Sequence, residues 1–197
     1  MVGRQLPNPI VVIVSGLPCT GKTTIARRVA EQFSLPLMSK DMYKELLFDT
    51  LGWKDRAWSR KMGRISIEFL FQFLEAQLAA RRSCIVESNF KIEFDTARFF
   101  KLKERYEFNS VQILCVTDGD VLFERFKRRA ESGARHPGHN DHLNYAEFRE
   151  TLLCGRWQPL DIGDRLVEID TTDLNTVDYA AVFAEIARAL RADDNDD

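Results

Sequence analysis

The sequence lacks the features that mark membrane-spanning, disulfide-rich and zinc-binding proteins. Its longest aliphatic run spans only Ile10 to Val14, far short of the roughly 20 apolar residues that a membrane helix needs. No signal-like apolar stretch follows the first residues. The four cysteines form no CxxC pair, which disfavours a zinc or dithiol site. These absences predict a cytoplasmic protein with reduced thiols and no membrane partner.

The chain also has little excess charge of either sign. Its 28 lysines and arginines oppose 30 aspartates and glutamates, for a net charge of -2. This balance argues against a dedicated nucleic-acid-binding protein, although a local basic patch can still bind a polyanion. With 197 residues, 45% of them hydrophobic, the chain can bury a sizeable core. We expect one domain over residues 1–192 and an acidic tail at 193–197.

Short apolar segments alternate with helical patterns along the chain. Strands are predicted at 10–14, 35–39, 84–87, 111–116 and 166–169. Helices are predicted at 22–33, 41–48, 58–80, 96–106, 121–129 and 176–190. Strands separated by helices favour an α/β fold with three layers around a parallel sheet. The Gly-, His- and Asp-rich segment 131–144 interrupts this alternation and is interpreted as a mobile excursion.

One stretch behind the first predicted strand fits the pattern G-x-x-x-x-G-K-[ST]. It comprises Gly16, Leu17, Pro18, Cys19, Thr20, Gly21, Lys22 and Thr23, and Thr24 follows it. Glycines let backbone N–H groups wrap a phosphate at a helix start. Lys22 would reach the β- and γ-phosphates, and the Thr23 hydroxyl would bind Mg²⁺. The alternative, a glycine-rich turn that binds nothing, is uncommon between a strand and a helix, so the pattern predicts ATP and Mg²⁺ as cofactors.

Two acidic residues follow predicted strands and should reach the same edge of the sheet. Asp41 could accept the proton of a substrate hydroxyl that attacks phosphorus. It could equally be a helix N-cap, and the two roles are compatible. Glu87 could hold Mg²⁺ through water or orient a substrate, and the plainer alternative is an exposed loop acid.

Basic residues cluster before and within the 131–144 segment. A mobile segment can bring an arginine over a migrating phosphoryl group and exclude water. The candidates for this role are Arg125, Arg128, Arg129 and Arg135. We expect about two of them to act in catalysis and the others to be solvated. The three histidines, His136, His139 and His142, have no sulfur ligand or helical spacing nearby, so zinc binding is disfavoured.

The motifs together resemble the small P-loop kinases that carry the AAA family label. They are the phosphate loop, S-K-D at 39–41, E-S-N at 87–89, R-H-P-G-H at 135–139 and G-R-W-x-P-L-D at 155–161. This group is related to polynucleotide kinase, chloramphenicol phosphotransferase, gluconate kinase and zeta toxin. The likeness extends from about Pro9 to Asp173, and only the phosphate loop is specific by itself.

The resemblance implies a sheet with strand order 2-3-1-4-5, a basic lid at about 129–144 and Asp41 as the base. Asp41, Lys44, Glu87 and Asn89 would then contact the substrate. Lys44 stands where polynucleotide kinases usually have an arginine. A lysine lacks the bidentate fork of arginine, which counts against recognition of a terminal nucleotide phosphate.

Three functions are compatible with these residues. The leading hypothesis is an ATP- and Mg²⁺-dependent kinase that acts on a hydroxyl of a small molecule. One alternative is a kinase for the 5'-hydroxyl of a polynucleotide or nucleotide, which the mild acidity of the chain disfavours. Another is a nucleotide-dependent switch ATPase, for which the sequence offers no recognisable arginine-finger insertion.

Four aromatic residues have two interpretations. Phe48, Trp53 and Trp58 could wall a partly apolar acceptor pocket, but aromatics at such spacing are more often core. Trp157 could line the site or belong to the core.

Overall fold

A five-stranded parallel sheet forms the centre of the molecule in the computed structural model, which describes residues 8–163 and 165–192. Its strands are β1 (Ile10–Gly16), β2 (Leu37–Ser39), β3 (Cys84–Glu87), β4 (Asn109–Val116) and β5 (Arg165–Asp170). Their order is β2-β3-β1-β4-β5, which confirms the predicted order. All seven residues of β1 are buried, as expected for a central strand covered on both faces.

Helices connect the strands. They are α1 (Lys22–Phe33), α2 (Lys40–Leu51), α3 (Arg56–Ala79), α4 (Ile92–Tyr106), α5 (Gly119–Glu131), α6 (Tyr145–Leu153) and α7 (Tyr179–Ala192). The bounds of α1 and β3 are those predicted, and most other elements differ by a few residues. Among the described residues, none of the helices has the length and apolarity needed to span a bilayer.

The side chains of β1 alternate between two cores. Val12 and Val14 belong to a cluster that includes residues of α1 and α7, whereas Val11 and Ile13 belong to one that includes residues of α3 and α4. A smaller third cluster joins Leu17 of the phosphate loop to α5 and α6. Helices on both faces therefore complete the predicted three-layer α/β arrangement.

Helix α6 was not predicted from the sequence. Only Leu152 of its nine residues is fully buried, so its apolar periodicity is weak. The end of α6 approaches the start of α5 so closely that a Cβ on Gly119 would lie 2.1 Å from the carbonyl oxygen of Leu153. Trp157 follows, packs against the third cluster and donates a hydrogen bond to the Phe90 carbonyl, so it has a core role.

The 131–144 segment is folded into two short 3-10 helices, Pro137–His139 and Asp141–Leu143. Its buried residues include Gly138, His139, Asn140 and Asp141. Gly138 lies against the Phe48 ring, where a Cβ would come within 2.6 Å of a ring carbon. We call residues 129–144 the lid. Its mobility and the single-domain boundary remain predictions, and the acidic tail at 193–197 lies outside the described residues.

Candidate active site

The phosphate loop joins β1 to α1 with a backbone shaped by glycine. Gly16 and Gly21 have φ angles of 148° and 82°, and Cys19 between them has a φ of 69°. Gly21 is the N-cap of α1 and supplies no side-chain cap. The first N–H groups of α1 are thus available to an anion, and the helix dipole favours negative charge there. Lys22 lies at this helix start, with Nζ 3.3 Å from the Leu17 carbonyl oxygen.

Glu87 lies beside the phosphate loop because of the register of the parallel strands. Val14 pairs with Glu87 on one side and Ser39 pairs with it on the other. The buried Glu87 carboxylate accepts hydrogen bonds from Thr23 Oγ1 at 3.1 Å and Ser39 Oγ at 2.5 Å. Lys22 Nζ is 3.9 Å from its other oxygen. Glu87 is therefore not an exposed loop acid.

The oxygen atoms of this cluster fit a magnesium ion. Mg²⁺ prefers hard oxygen ligands and is commonly held by one or two protein groups together with substrate phosphates. The Thr23 hydroxyl and the Glu87 carboxylate meet that description beside the phosphate loop. No group of three or more His, Cys, Asp or Glu with metal-site geometry occurs within the described ranges.

Asp41 lies in the first turn of α2 and is not its N-cap. The N-cap is Ser39, because α2 already begins at Lys40, so the prediction of an Asp41 N-cap was wrong. The Asp41 carboxylate instead faces the lid, where its Oδ2 lies 2.8 Å from Arg135 Nη2. Desolvation raises the pKa of Asp41, but the charges of Arg135 and Lys40 outweigh it and hold the pKa well below its ordinary value.

Arg135 connects the lid to α2 through several acidic partners. Besides Asp41, its guanidinium lies 3.1 Å from Glu45 Oε1 and 3.4 Å from Asp141 Oδ2. Arg129 of α5 reaches the same Asp141 oxygen at 3.2 Å. Sequence reasoning missed Glu45 and Asp141; a signal was available for Glu45, which lies one helical turn after Asp41.

His139 is the neutral centre of this network. Its Nε2 is 2.9 Å from Glu45 Oε1, and its Nδ1 is 2.9 Å from Arg135 Nη2 and 3.4 Å from Lys44 Nζ. Because Arg135 and Lys44 can only donate, Nδ1 must accept and Nε2–H must donate to Glu45. Burial lowers the pKa of His139 to about 4, against the opposing effect of the hydrogen bond to Glu45, and the charge of Arg135 adds to the lowering. The sequence analysis considered this residue only as a zinc ligand and did not predict its place in the network.

The other two arginine candidates lie elsewhere. Arg125 donates from Nη1 and Nη2 to the carbonyls of Thr171 and Thr172, each at 2.7 Å. Arg128 is exposed at the end of α5. The structure thus brings Arg129 and Arg135 into the lid network, whereas Arg125 anchors the loop after β5.

The remaining predicted substrate residues line the start of α2 and the end of β3. Lys40 Nζ donates to Asn89 Oδ1 at 3.1 Å, and Lys44 is 7% exposed. Of the aromatics, Phe48 is fully buried and stacks on His136, and Trp53 meets His136 edge-on. Both residues therefore contact the lid, Phe48 from the core and Trp53 from a position that is 49% exposed.

We expect acid to weaken the structure specifically through His139. The folded state keeps His139 neutral down to about pH 4, whereas the unfolded chain takes up the proton near its ordinary pKa of 6.5. The stabilisation is complete above that upper value and is lost progressively as the pH falls toward 4. The groups facing the imidazole are Glu45, Lys44, Arg135 and Asp41. The hydrogen bond with His139 lowers the pKa of Glu45, and the charge of Arg135 lowers the pKa of Asp41 against the effect of desolvation.

The measurement is the free energy of unfolding of the wild type and of His139→Gln across this pH range. The free energy of unfolding should fall more steeply with falling pH in the wild type than in the variant, because glutamine has no proton to gain. A difference that stays constant from neutral pH to about pH 4.5 would show that His139 is not held neutral.

The fold and the phosphate loop define the class of the protein: it is a P-loop protein with a kinase-type parallel sheet and a basic lid. Residues 11–150 match the family described as "AAA domain". Because this match spans more than half of the chain, the protein belongs to that family. A comparison with curated proteins finds no match.

Solved structures of kinases share this fold. A "putative kinase" from Chloroflexus aurantiacus j-10-fl is 38% identical, with a TM-score of 0.84 over 96% of this chain and 100% of the other. A sugar kinase from Janibacter sp. HTCC2649 is 16% identical, with a TM-score of 0.55 over 92% and 96%. A gluconokinase from Sinorhizobium meliloti 1021 is 19% identical, with a TM-score of 0.50 over 96% and 97%. The last two show the fold alone.

Proposed function

We propose that the protein is an ATP- and Mg²⁺-dependent phosphotransferase that moves the γ-phosphoryl group of ATP to a hydroxyl of a small molecule. The observation that carries this proposal is the placement of Asp41 and Arg135. A carboxylate and a lid arginine face each other at the carboxyl edge of the sheet that also holds the phosphate loop. A phosphoryl acceptor needs a base, and the migrating group needs a cation.

The residues divide into three roles. Lys22 and the N–H groups at the start of α1 would bind the β- and γ-phosphates. Thr23 and Glu87 would hold Mg²⁺, which supplies charge neutralisation on the phosphate oxygens when it is bound. Asp41 would accept the proton of the attacking hydroxyl, and Arg135, with Arg129 beside it, would stabilise the charge of the migrating group.

The pairing of Asp41 with Arg135 has a chemical consequence. While Arg135 lies on Asp41, the carboxylate is ionised but weakly basic, because its pKa is well below the ordinary value. When Arg135 turns to the phosphoryl group instead, Asp41 loses its main neutralising partner and becomes more basic. The base would then gain strength at the step that needs it.

The direct test incubates the purified protein with Mg²⁺ and ATP against pools of hydroxyl compounds and 5'-hydroxyl oligonucleotides, with products detected by mass. We expect a small molecule to gain one phosphoryl group in a reaction that chelation of Mg²⁺ abolishes. ATP hydrolysis at the same rate in every pool, without any phosphorylated acceptor, would contradict the proposal and favour a switch ATPase.

A further inference from the structure

Two lysines of α2 are withdrawn from solvent and form no ion pair with a described carboxylate. Lys44 is 7% exposed, and its Nζ lies 3.4 Å from Nδ1 of the neutral His139. Lys40 is partly buried and donates to the neutral Asn89 amide oxygen. In the parts of the chain that the structure describes, neither ammonium lies within 4.0 Å of a carboxylate. Burying a cation without a counter-charge is costly.

The neighbouring carboxylates are already engaged. Asp41 and Glu45 are both paired with Arg135, and Glu45 also accepts from His139. Glu87 accepts from two hydroxyls and faces Lys22. These three carboxylates therefore contact residues of the lid and of the phosphate-loop cluster. Lys40 and Lys44 feel the charge of Asp41, but neither has a carboxylate of its own within ion-pair distance.

Both lysine side chains end over Gly63 in the middle of α3. A Cβ on Gly63 would lie 3.7 Å from Lys44 Cε, 3.8 Å from Lys44 Nζ and 4.0 Å from Lys40 Cε. Gly63 has no positive φ that would require glycine. A glycine inside a helix destabilises the helix relative to alanine. The bare backbone at Gly63 lets both lysine side chains lie close to α3.

We propose that Lys40 and Lys44, whose side chains meet over Gly63, form an anion subsite, so that the phosphoryl acceptor is a small hydroxyl compound bearing a carboxylate or phosphate group. This inference rests on the proposed function, because it places the acceptor between this subsite and Asp41. Asp41 and Lys44 are three residues apart on α2, where Cβ atoms are about 5–6 Å apart. An acceptor of about three to six carbons spans the gap between a hydroxyl at Asp41 and an anion at the lysines.

Burial lowers the pKa of Lys44 to about 8, despite the opposing effect of Asp41. An anion bound at Lys44 would favour the charged form again. Acceptor binding should therefore weaken as the pH rises above that value, whereas binding of a neutral acceptor would lack this dependence.

The test compares the wild type with Lys44→Met against matched probes. The anionic probes are glycerate, gluconate, glycerol 3-phosphate and glucose 6-phosphate, and the neutral probes are glycerol, sorbitol and glucose. We expect phosphoryl transfer to at least one anionic probe and much less to its neutral counterpart. Lys44→Met should raise the KM for that probe by about 10- to 100-fold, with a smaller change in kcat and an unchanged KM for ATP. Comparison of carboxylates with phosphates identifies which anion is preferred.

Stability separates a binding role from a structural one. Lys44→Met removes a buried unpaired charge with little change in volume, so its melting temperature should equal or exceed that of the wild type. Gly63→Val fills the subsite without altering charge and should also raise the acceptor KM. Lys101→Met, which changes an exposed lysine of α4, is the matched control and should behave as the wild type.

A binding measurement without ATP distinguishes the two proposals. If the anionic probes raise the melting temperature of the wild type but not of Lys44→Met, the anion subsite stands even when no probe is phosphorylated, and only the proposed transfer fails. The subsite is overturned if neutral probes are phosphorylated as efficiently as anionic ones, if the only acceptor is a 5'-hydroxyl oligonucleotide used equally well by Lys44→Met, or if no anionic probe binds or reacts.

Discussion

Asp41→Asn should lower the rate of phosphoryl transfer by about 10²- to 10⁴-fold, the contribution expected of a positioned general base. The asparagine keeps the size of the side chain but cannot accept a proton from the attacking hydroxyl. ATP affinity should change little, because the phosphate loop is built from residues 16–23 and does not depend on Asp41. The measurement is kcat for the identified acceptor together with ATP binding by calorimetry.

The control for this prediction is Asp49→Asn. Asp49 also joins α2 to the lid, through a contact of 3.1 Å with His136 Nε2, but it is exposed and lies outside the proposed site. This variant should retain transfer within about twofold. Equal losses of phosphoryl transfer in the two variants would mean that both residues act only by holding the lid against α2. Unchanged transfer in Asp41→Asn would show that Asp41 is not the base.

The sheet and the phosphate loop could be predicted because short-range signals determine them. The aliphatic run of β1 and the glycines at 16 and 21 indicate a buried strand and a helix start within one stretch of sequence. Exact bounds for α1 follow from its regular apolar face, with Ile25, Ala26 and Val29 buried. The alternation of strands and helices then predicts the three layers.

The lid network could not be predicted in the same way, because its contacts join residues about 90 positions apart. Arg135 meets Asp41 and Glu45 only after β2, α2 and the lid have folded together. The composition of 131–144 indicates a loop, yet Gly138 against Phe48 and the buried His139 make it a packed element. Pairing rules based on spacing along the sequence do not register such contacts.

The sequence also could not distinguish the arginine candidates from one another. Arg125, Arg128 and Arg129 are close in sequence on α5, and charge alone gives no reason to prefer one of them. Helical geometry directs them differently: Arg125 meets the carbonyls after β5, Arg128 meets solvent and Arg129 meets Asp141. A charge cluster in the sequence therefore predicts a basic region but not which guanidinium reaches the site.

Arg135→Met should lower kcat for phosphoryl transfer by about 10³-fold or more, the scale of an arginine that stabilises the transferring phosphoryl group. Arg135→Lys should restore little of the lost kcat, because a lysine provides a point charge in place of the planar guanidinium fork. Arg188→Met, on the exposed face of α7, is the control for loss of a surface arginine and should leave kcat unchanged. A loss below about tenfold would limit Arg135 to holding the lid closed.

The pH profile of Arg135→Met is a second readout, which would not change if Arg135 only held the lid closed. Arg135 is the largest of the charges that lower the pKa of Asp41. Its removal raises that pKa toward the ordinary range, so Asp41 becomes protonated at a higher pH. Because only the ionised carboxylate can accept the proton of the acceptor, the acid limb of kcat/KM in this variant should move to higher pH than in the wild type. An unmoved acid limb would mean that the limb reports a group other than Asp41.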